Sequence, residues 1–197
     1  MKKFKIVFLI FIVATSSCSK NKSSILNQQE VVNNDALLQI QKTSNLENQK
    51  IMYRTLSKYE KCEIWSQKFT NYISSNNLNK GQIAFINSIM VILKPELFEL
   101  GSTLRASLNE KEINAMAIKH FGVNEASFLF ANISMSNNET EKNEGGGGGT
   151  GSKCAQNHDW CGTYTTCRPW ICTPQSGCGF LFLYECDGGC QSQKIAV

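Results

Sequence analysis

The stretch Asn79-Lys80-Gly81-Gln82-Ile83-Ala84-Phe85-Ile86-Asn87-Ser88-Ile89-Met90-Val91-Ile92-Leu93-Lys94-Pro95 decides the fold class of this chain. Asn79 with Gln82 three residues on has the form of a reciprocal cap at a helix start. Pro95 ends the same helix, because it has no N–H to donate and crowds the preceding turn. Between them Ile83, Ile86, Met90 and Leu93 recur at intervals of three and four, which lays one apolar stripe along a helix. Upstream, Cys62, Trp65, Phe69, Tyr72 and Ile73 repeat the pattern, and Ala36, Leu37 and Ile40 open it. Downstream, Pro95 fits the first turn of a short helix through Leu97, Phe98 and Leu100 that stops at Gly101. Asn109 with Glu112 suggests another capping box, Ile113, Met116 and Ala117 are expected to face inward, and Gly122 reads as a C-cap. A last short helix is expected over Asn124–Ile133. Residues 35–133 therefore read as a small antiparallel helical bundle.

The ends of the chain follow other rules. Lys2, Lys3 and Lys5 precede nine apolar residues, Ile6 to Ala14, and then the small residues Thr15, Ser16 and Ser17, which is the form of an export signal. Nine apolar residues are too few to cross a bilayer, which takes about 20. Cys18 directly after the small residues, ahead of Ser19-Lys20 and a polar stretch, resembles the bacterial lipoprotein signal. That resemblance implies cleavage after residue 17 and lipidation of Cys18, and the Ser, Lys, Asn and Gln that follow, with few apolar residues, read as a flexible tether over 18–34. A plain secretory signal with an incidental cysteine is the other reading, and Thr15 stands where lipoprotein signals favour Leu. Both deliver the chain to an oxidising compartment.

Charge gives no reason to expect nucleic acid. Removing Lys2, Lys3 and Lys5 from the 20 basic residues leaves 17 against 16 acidic ones. From residue 153 onward Lys153, Arg168 and Lys194 balance Asp159, Glu185 and Asp187. A neutral segment gains almost nothing from anionic headgroups, so any action on a target membrane is expected through apolar contact or a receptor.

Residues 134–153 read as a linker, first polar and then Gly145–Gly149, with an end-to-end reach of about 25 Å by the square-root law. It separates the helices from a segment holding seven of the nine cysteines: Cys154, Cys161, Cys167, Cys172, Cys178, Cys186 and Cys190. A segment as short as 154–197 cannot rest on an apolar core alone. No CxxC knuckle is present and His158 is the nearest histidine, so disulfides are expected in place of a metal, and no cofactor is implied. Phe180-Leu181-Phe182-Leu183-Tyr184 reads as a strand, with Phe180, Phe182 and Tyr184 on one face. Together with Trp160 and Trp170 these rings either cover the disulfides or form an exposed patch that contacts a target. The expected fold is mainly α, with a Gly-rich linker leading to a small disulfide-rich module containing a short β-hairpin or strand. Bundle and module are expected to fold independently.

The run Cys154-x6-Cys161-x5-Cys167-x4-Cys172-x5-Cys178, with Asp159-Trp160 ahead of the second cysteine and Gly177-Cys178-Gly179 ahead of the aromatic run, resembles the fulvocin C-related bacteriocin family. Leu56-Ser57, Lys61, Glu63 and Trp65, then Leu93-Lys94-Pro95-Glu96-Leu97-Phe98, resemble the helical part of the same family. The family segment has a further cysteine where this chain has Ser152, and its loops beyond Cys167 differ by about a residue. The resemblance implies an exported precursor, lipid-anchored in the envelope, whose cysteine-rich end acts on competing bacteria at their membrane or a receptor. The alternative is an envelope lipoprotein with a permanent binding module. No nucleophile, base and orienting group stand at catalytic spacing, so an enzyme is not expected. The family's cysteine at the Ser152 position would leave one module cysteine without its partner. We therefore expect three bridges within the module, one leftover thiol there and a buried, reduced Cys62, over a bridge from Cys62 across the linker.

Overall fold

The structure, a computed structural model, describes residues 32–43, 45–135, 154, 165–169 and 175–192. The export signal, Cys18, most of the tether, nearly all of the linker, and Cys161, Cys172, Trp160 and Trp170 lie outside the described residues, as does the side chain of Cys190.

The chain is mainly α-helical, with short antiparallel strands near its C-terminus. The helices are α1 (Asn34–Lys42), α2 (Leu46–Arg54), α3 (Lys58–Ser75), α4 (Lys80–Ile92), α5 (Thr103–Ala106), α6 (Glu110–Phe121) and α7 (Val123–Ala131), with a 3-10 turn at Pro95–Phe98. Side chains set most of the starts. Asn33 and Asn45 each accept the N–H three residues on. Ser57 with Glu60 and Asn79 with Gln82 form complete capping boxes. At α6 only half the box forms: Asn109 Oδ1 accepts from the Glu112 N–H, while the Glu112 carboxylate accepts from the Asn109 side-chain amide instead of its backbone. Gly122 ends α6 at φ 75°, a conformation that a side chain would penalise.

Leu37, Ile40, Trp65, Phe69, Ile86, Leu93, Leu97, Leu129 and Phe130 make the centre of the core. On α4 the buried line is Ile86, Ile89 and Leu93, with Ile83 and Met90 only partly covered. Met116 was expected inside but is exposed, because α6 meets α4 and α7 through Ile113 and Ala117 on another face. Lys68 is a charged core residue. Its Nζ donates to the Phe128 carbonyl at 2.6 Å and to the Asn132 carbonyl, capping the C-terminal end of α7, where the helix dipole favours a cation. Burial nevertheless pushes its pKa well below the usual lysine value.

The C-terminal strands are β1 (Thr165–Pro169), β2 (Gln175–Cys178), β3 (Tyr184–Cys186) and β4 (Gly188–Ser192). β2 and β3 form a hairpin, and β1 pairs antiparallel with β4, Cys167 opposite Cys190. Cys154 bridges to Gly188 through backbone hydrogen bonds and is disulfide-bonded to Cys167. A second disulfide, Cys178–Cys186, closes the hairpin with Cα atoms 5.1 Å apart.

The expected strand over Phe180–Tyr184 is a correction. Phe180–Phe182 is a 3-10 turn, and only Tyr184 begins a strand. The chain between two bridged cysteines has to reverse, so this run becomes the hairpin's tip. Gly179 starts the reversal at φ 70°, ψ −164°, a region open essentially to glycine alone. Leu181 and Phe182 follow at φ 52° and 56°, a left-handed conformation costing bulky residues about 1–3 kcal/mol each.

The expectation of independent folding is also corrected. Phe180, Leu181, Phe182 and Leu183 belong to the same buried cluster as Trp65, Phe69 and Phe130. Each such side chain gains about 1.5–3 kcal/mol from burial, which outweighs the strain of the tip.

Candidate functional site

The site is the seat of the hairpin tip. Its walls come from α2, α3 and α7, and each contributes a ring. The Tyr53 and Trp65 rings meet Phe182 edge-on, at centroid distances of 5.3 and 5.6 Å. Phe130 lies 5.8 Å from Phe180, and Phe69 continues the cluster at 5.6 Å from Phe130. Edge-to-face pairs add about 0.5–1.5 kcal/mol beyond the area they bury.

A short polar chain crosses this apolar seat. Trp65 Nε1 donates to Tyr53 Oη at 3.1 Å, which orients the hydroxyl, and that hydroxyl donates to the Leu181 carbonyl at 3.3 Å. The carbonyl belongs to a residue in the left-handed conformation. Burial pushes the Tyr53 pKa far above the ordinary tyrosine value, and the hydrogen bond from Trp65 offsets only part of that.

At the base of the hairpin the buried Lys50 of α2 lies along the Cys178–Cys186 bridge, with Nζ 3.6 Å from Cys178 Sγ and 4.0 Å from Cys186 Sγ. Gly177 makes room for it, since a Cβ there would stand 3.3 Å from Lys50 Cγ. On the outer side, Arg105 lies 4.9 Å over the Tyr184 ring. Beside that pair an open groove of about 510 Å³ is lined by Gly101, Ser102, Arg105, Asn109, Lys111 and Tyr184.

The target-contact candidates thus divide. Phe180 and Phe182 are inside the protein, 0% and 6% exposed, so neither forms an exposed patch in this state. Tyr184 is half-buried beneath Arg105. Trp160 and Trp170 lie outside the described residues. Of the disulfide candidates, Cys154 pairs with Cys167 and Cys178 with Cys186. The expectation of a reduced Cys62 is corrected: it is fully buried 3.4 Å from the Leu93 carbonyl oxygen, but it is disulfide-bonded. Since the four cysteines just named pair among themselves, its partner is a cysteine whose side chain is not described. Position on an apolar stripe fixes the burial of a sulfur, not its redox state.

No family model matches the chain, and no curated protein and no solved structure matches it.

Lys50 and Tyr53 were not among the residues singled out in the sequence, and Leu181 entered only as a member of the expected strand. Tyr53 and Lys50 lie on a short helix of mixed polar and apolar residues, and nothing local distinguishes them. The signal available was the hairpin itself: two cysteines flanking a five-residue apolar-rich run imply a closed loop whose side chains need a cover. Among the described residues no cluster of His, Cys, Asp and Glu is arranged to hold a metal.

Proposed function

We propose that the chain is an exported, lipid-anchored bacteriocin-like precursor whose helical part holds the cysteine-rich segment in an inactive state until it is released. The supporting observation is the burial of Phe180–Leu183 in the helical core. Four consecutive bulky apolar residues on a disulfide-closed tip are suited to engage a membrane or an apolar receptor surface, and here that surface is hidden. The sequence supplies an export signal, Cys18 as lipid acceptor and a glycine run where a protease would separate the parts. The test applies intact protein, protein cut within residues 136–153, and cut protein after reduction to related bacteria. Inhibition is expected only from preparations in which the segment has left the helices. Activity of the intact chain equal to that of the released segment would overturn the reading. Mass spectrometry of the native protein reports lipidation at Cys18 and cleavage together.

A second reading, an envelope lipoprotein with a permanent cysteine-rich binding module and no toxin activity, is favoured by one observation, the disulfide bond at Cys62. If its partner is in the module, cutting the linker leaves the parts joined. The half-open surface around Arg105 and Tyr184 would then be the binding face. An uncut surface protein without inhibitory activity supports this reading.

A further inference from the structure

We propose that the seat formed by Tyr53, Trp65, Phe69 and Phe130 is a receptor for the Phe180–Leu183 tip that works in trans, so that the helical part of one molecule captures the cysteine-rich segment released from another. This rests on the precursor reading for its biological use, but not for its physical test.

Three features make the tip a ligand and not merely a piece of core. The Cys178–Cys186 bridge and the β2–β3 pairing close it at its base, so bonds within the segment itself hold the two ends of the loop together. A closed loop gives up less conformational freedom on docking than an open one, which leaves the seat to supply the strained turn at Leu181 and Phe182. The seat also reads backbone as well as side chain, because Tyr53, aligned by Trp65, donates to the Leu181 carbonyl that the left-handed turn turns outward. Lastly, Lys50 lies along the bridge. The helices therefore meet rings, a backbone carbonyl and the base of the hairpin together, and an extended apolar peptide satisfies only the first.

The partner is a second copy of this chain's own segment. Linker cleavage alone would then not disarm or deplete the helical part: an emptied seat would neutralise any copy that returned. For a producing cell, helices left on the envelope would act as a scavenger of the freed segment.

The probe is a synthetic peptide of residues 175–186 closed by the Cys178–Cys186 disulfide. It is added to the full-length chain carrying Phe180→Ser and Phe182→Ser, whose own tip no longer fills the seat. Binding is read by calorimetry, with far-UV dichroism confirming that the variant is helical. Saturable one-to-one binding is expected, at least about 100-fold weaker for a peptide with Phe182→Ala, given the usual cost of deleting a buried ring. A reduced, open peptide should also bind markedly less well. A helical variant chain that takes up no closed peptide, or one that binds closed and open peptides equally, overturns the proposal.

If the double variant does not fold, the measurement moves to the linker-cut protein carrying Cys62→Ala and an otherwise native tip. There the helical part and segment should co-elute on gel filtration and separate several-fold faster when Tyr53→Phe is added. Immediate separation without that substitution, or no effect of it, overturns the proposal. An absence of antibacterial activity alongside tight closed-peptide binding would instead count against the precursor reading alone.

Discussion

The hydroxyl of Tyr53 donates to the carbonyl oxygen of Leu181 across 3.3 Å, so a helix near the start of the described chain holds the backbone of a hairpin tip near its end. The two residues stand 128 positions apart in sequence, and one apolar cluster contains both. Stability of the helices and integrity of the disulfides are consequently linked.

The first prediction follows from that linkage. Opening Cys178–Cys186 frees the tip to leave the seat, and opening the Cys62 bridge loosens α3. A reductant should therefore lower the midpoint of the far-UV thermal transition, and the helical and aromatic signals should shift together. A helical transition that stays in place under reduction would show that the seat contributes little.

Alkaline pH supplies a second test. Burial holds the Tyr53 pKa far above its ordinary 10.0. Tyr72 is also raised, first by burial and then by the Glu125 carboxylate, which accepts a hydrogen bond from its hydroxyl at 2.6 Å. A pKa raised by folding gives stability that is complete below the unfolded value and lost as pH climbs above it. The urea midpoint should fall once pH exceeds about 10. Tyr53→Phe should flatten that fall while lowering stability at neutral pH. Lys68, depressed by burial, has the opposite sign, so its contribution to stability should grow as pH rises towards the unfolded lysine value of 10.5.

Replacing Lys68 with Met removes the donor to the Phe128 and Asn132 carbonyls and leaves the end of α7 uncapped inside the core. The expected loss is about 2 kcal/mol, the desolvation cost of buried unpaired acceptors less the relief of no longer burying a charge. Chemical denaturation measures it. A variant as stable as the parent would mean that the relief prevails.

Gly188→Ala probes the outer strand pair. A Cβ there would stand 2.6 Å from Cys167 Sγ and 2.7 Å from the Arg168 carbonyl, both closer than real Cβ contacts. The β1–β4 pairing and the Cys154–Cys167 bridge should form poorly, and alkylation with mass spectrometry should find two additional reactive thiols. Unchanged thiol content would place the strands farther apart than the geometry has them.

Helix starts and stops were legible because they are local: Asn79 and Gln82 satisfy backbone donors within one turn, and Pro95 stops the helix before it and opens the turn that follows. The stripe Cys62, Trp65 and Phe69 was legible for the same reason, since a 3.6-residue period needs no partner to be read. Phe180–Tyr184 failed because alternating aromatics and leucines favour a strand only if the chain continues straight. Met116 failed because a stripe on a short helix does not say which neighbour will cover it.

From the sequence alone came the division into capped helices and a cysteine-rich end, the mainly α class and the burial of Cys62, all of which depend on neighbours a few residues apart. Tertiary structure alone decided which cysteines pair, that Leu181 and Phe182 adopt a left-handed turn, and that the tip enters the helices. The physical reason is that an unfavourable local conformation persists only when distant groups compensate it. The compensation here, Tyr53, Trp65 and Phe130 closing around Phe180 and Phe182, exists only once the two ends of the chain have met.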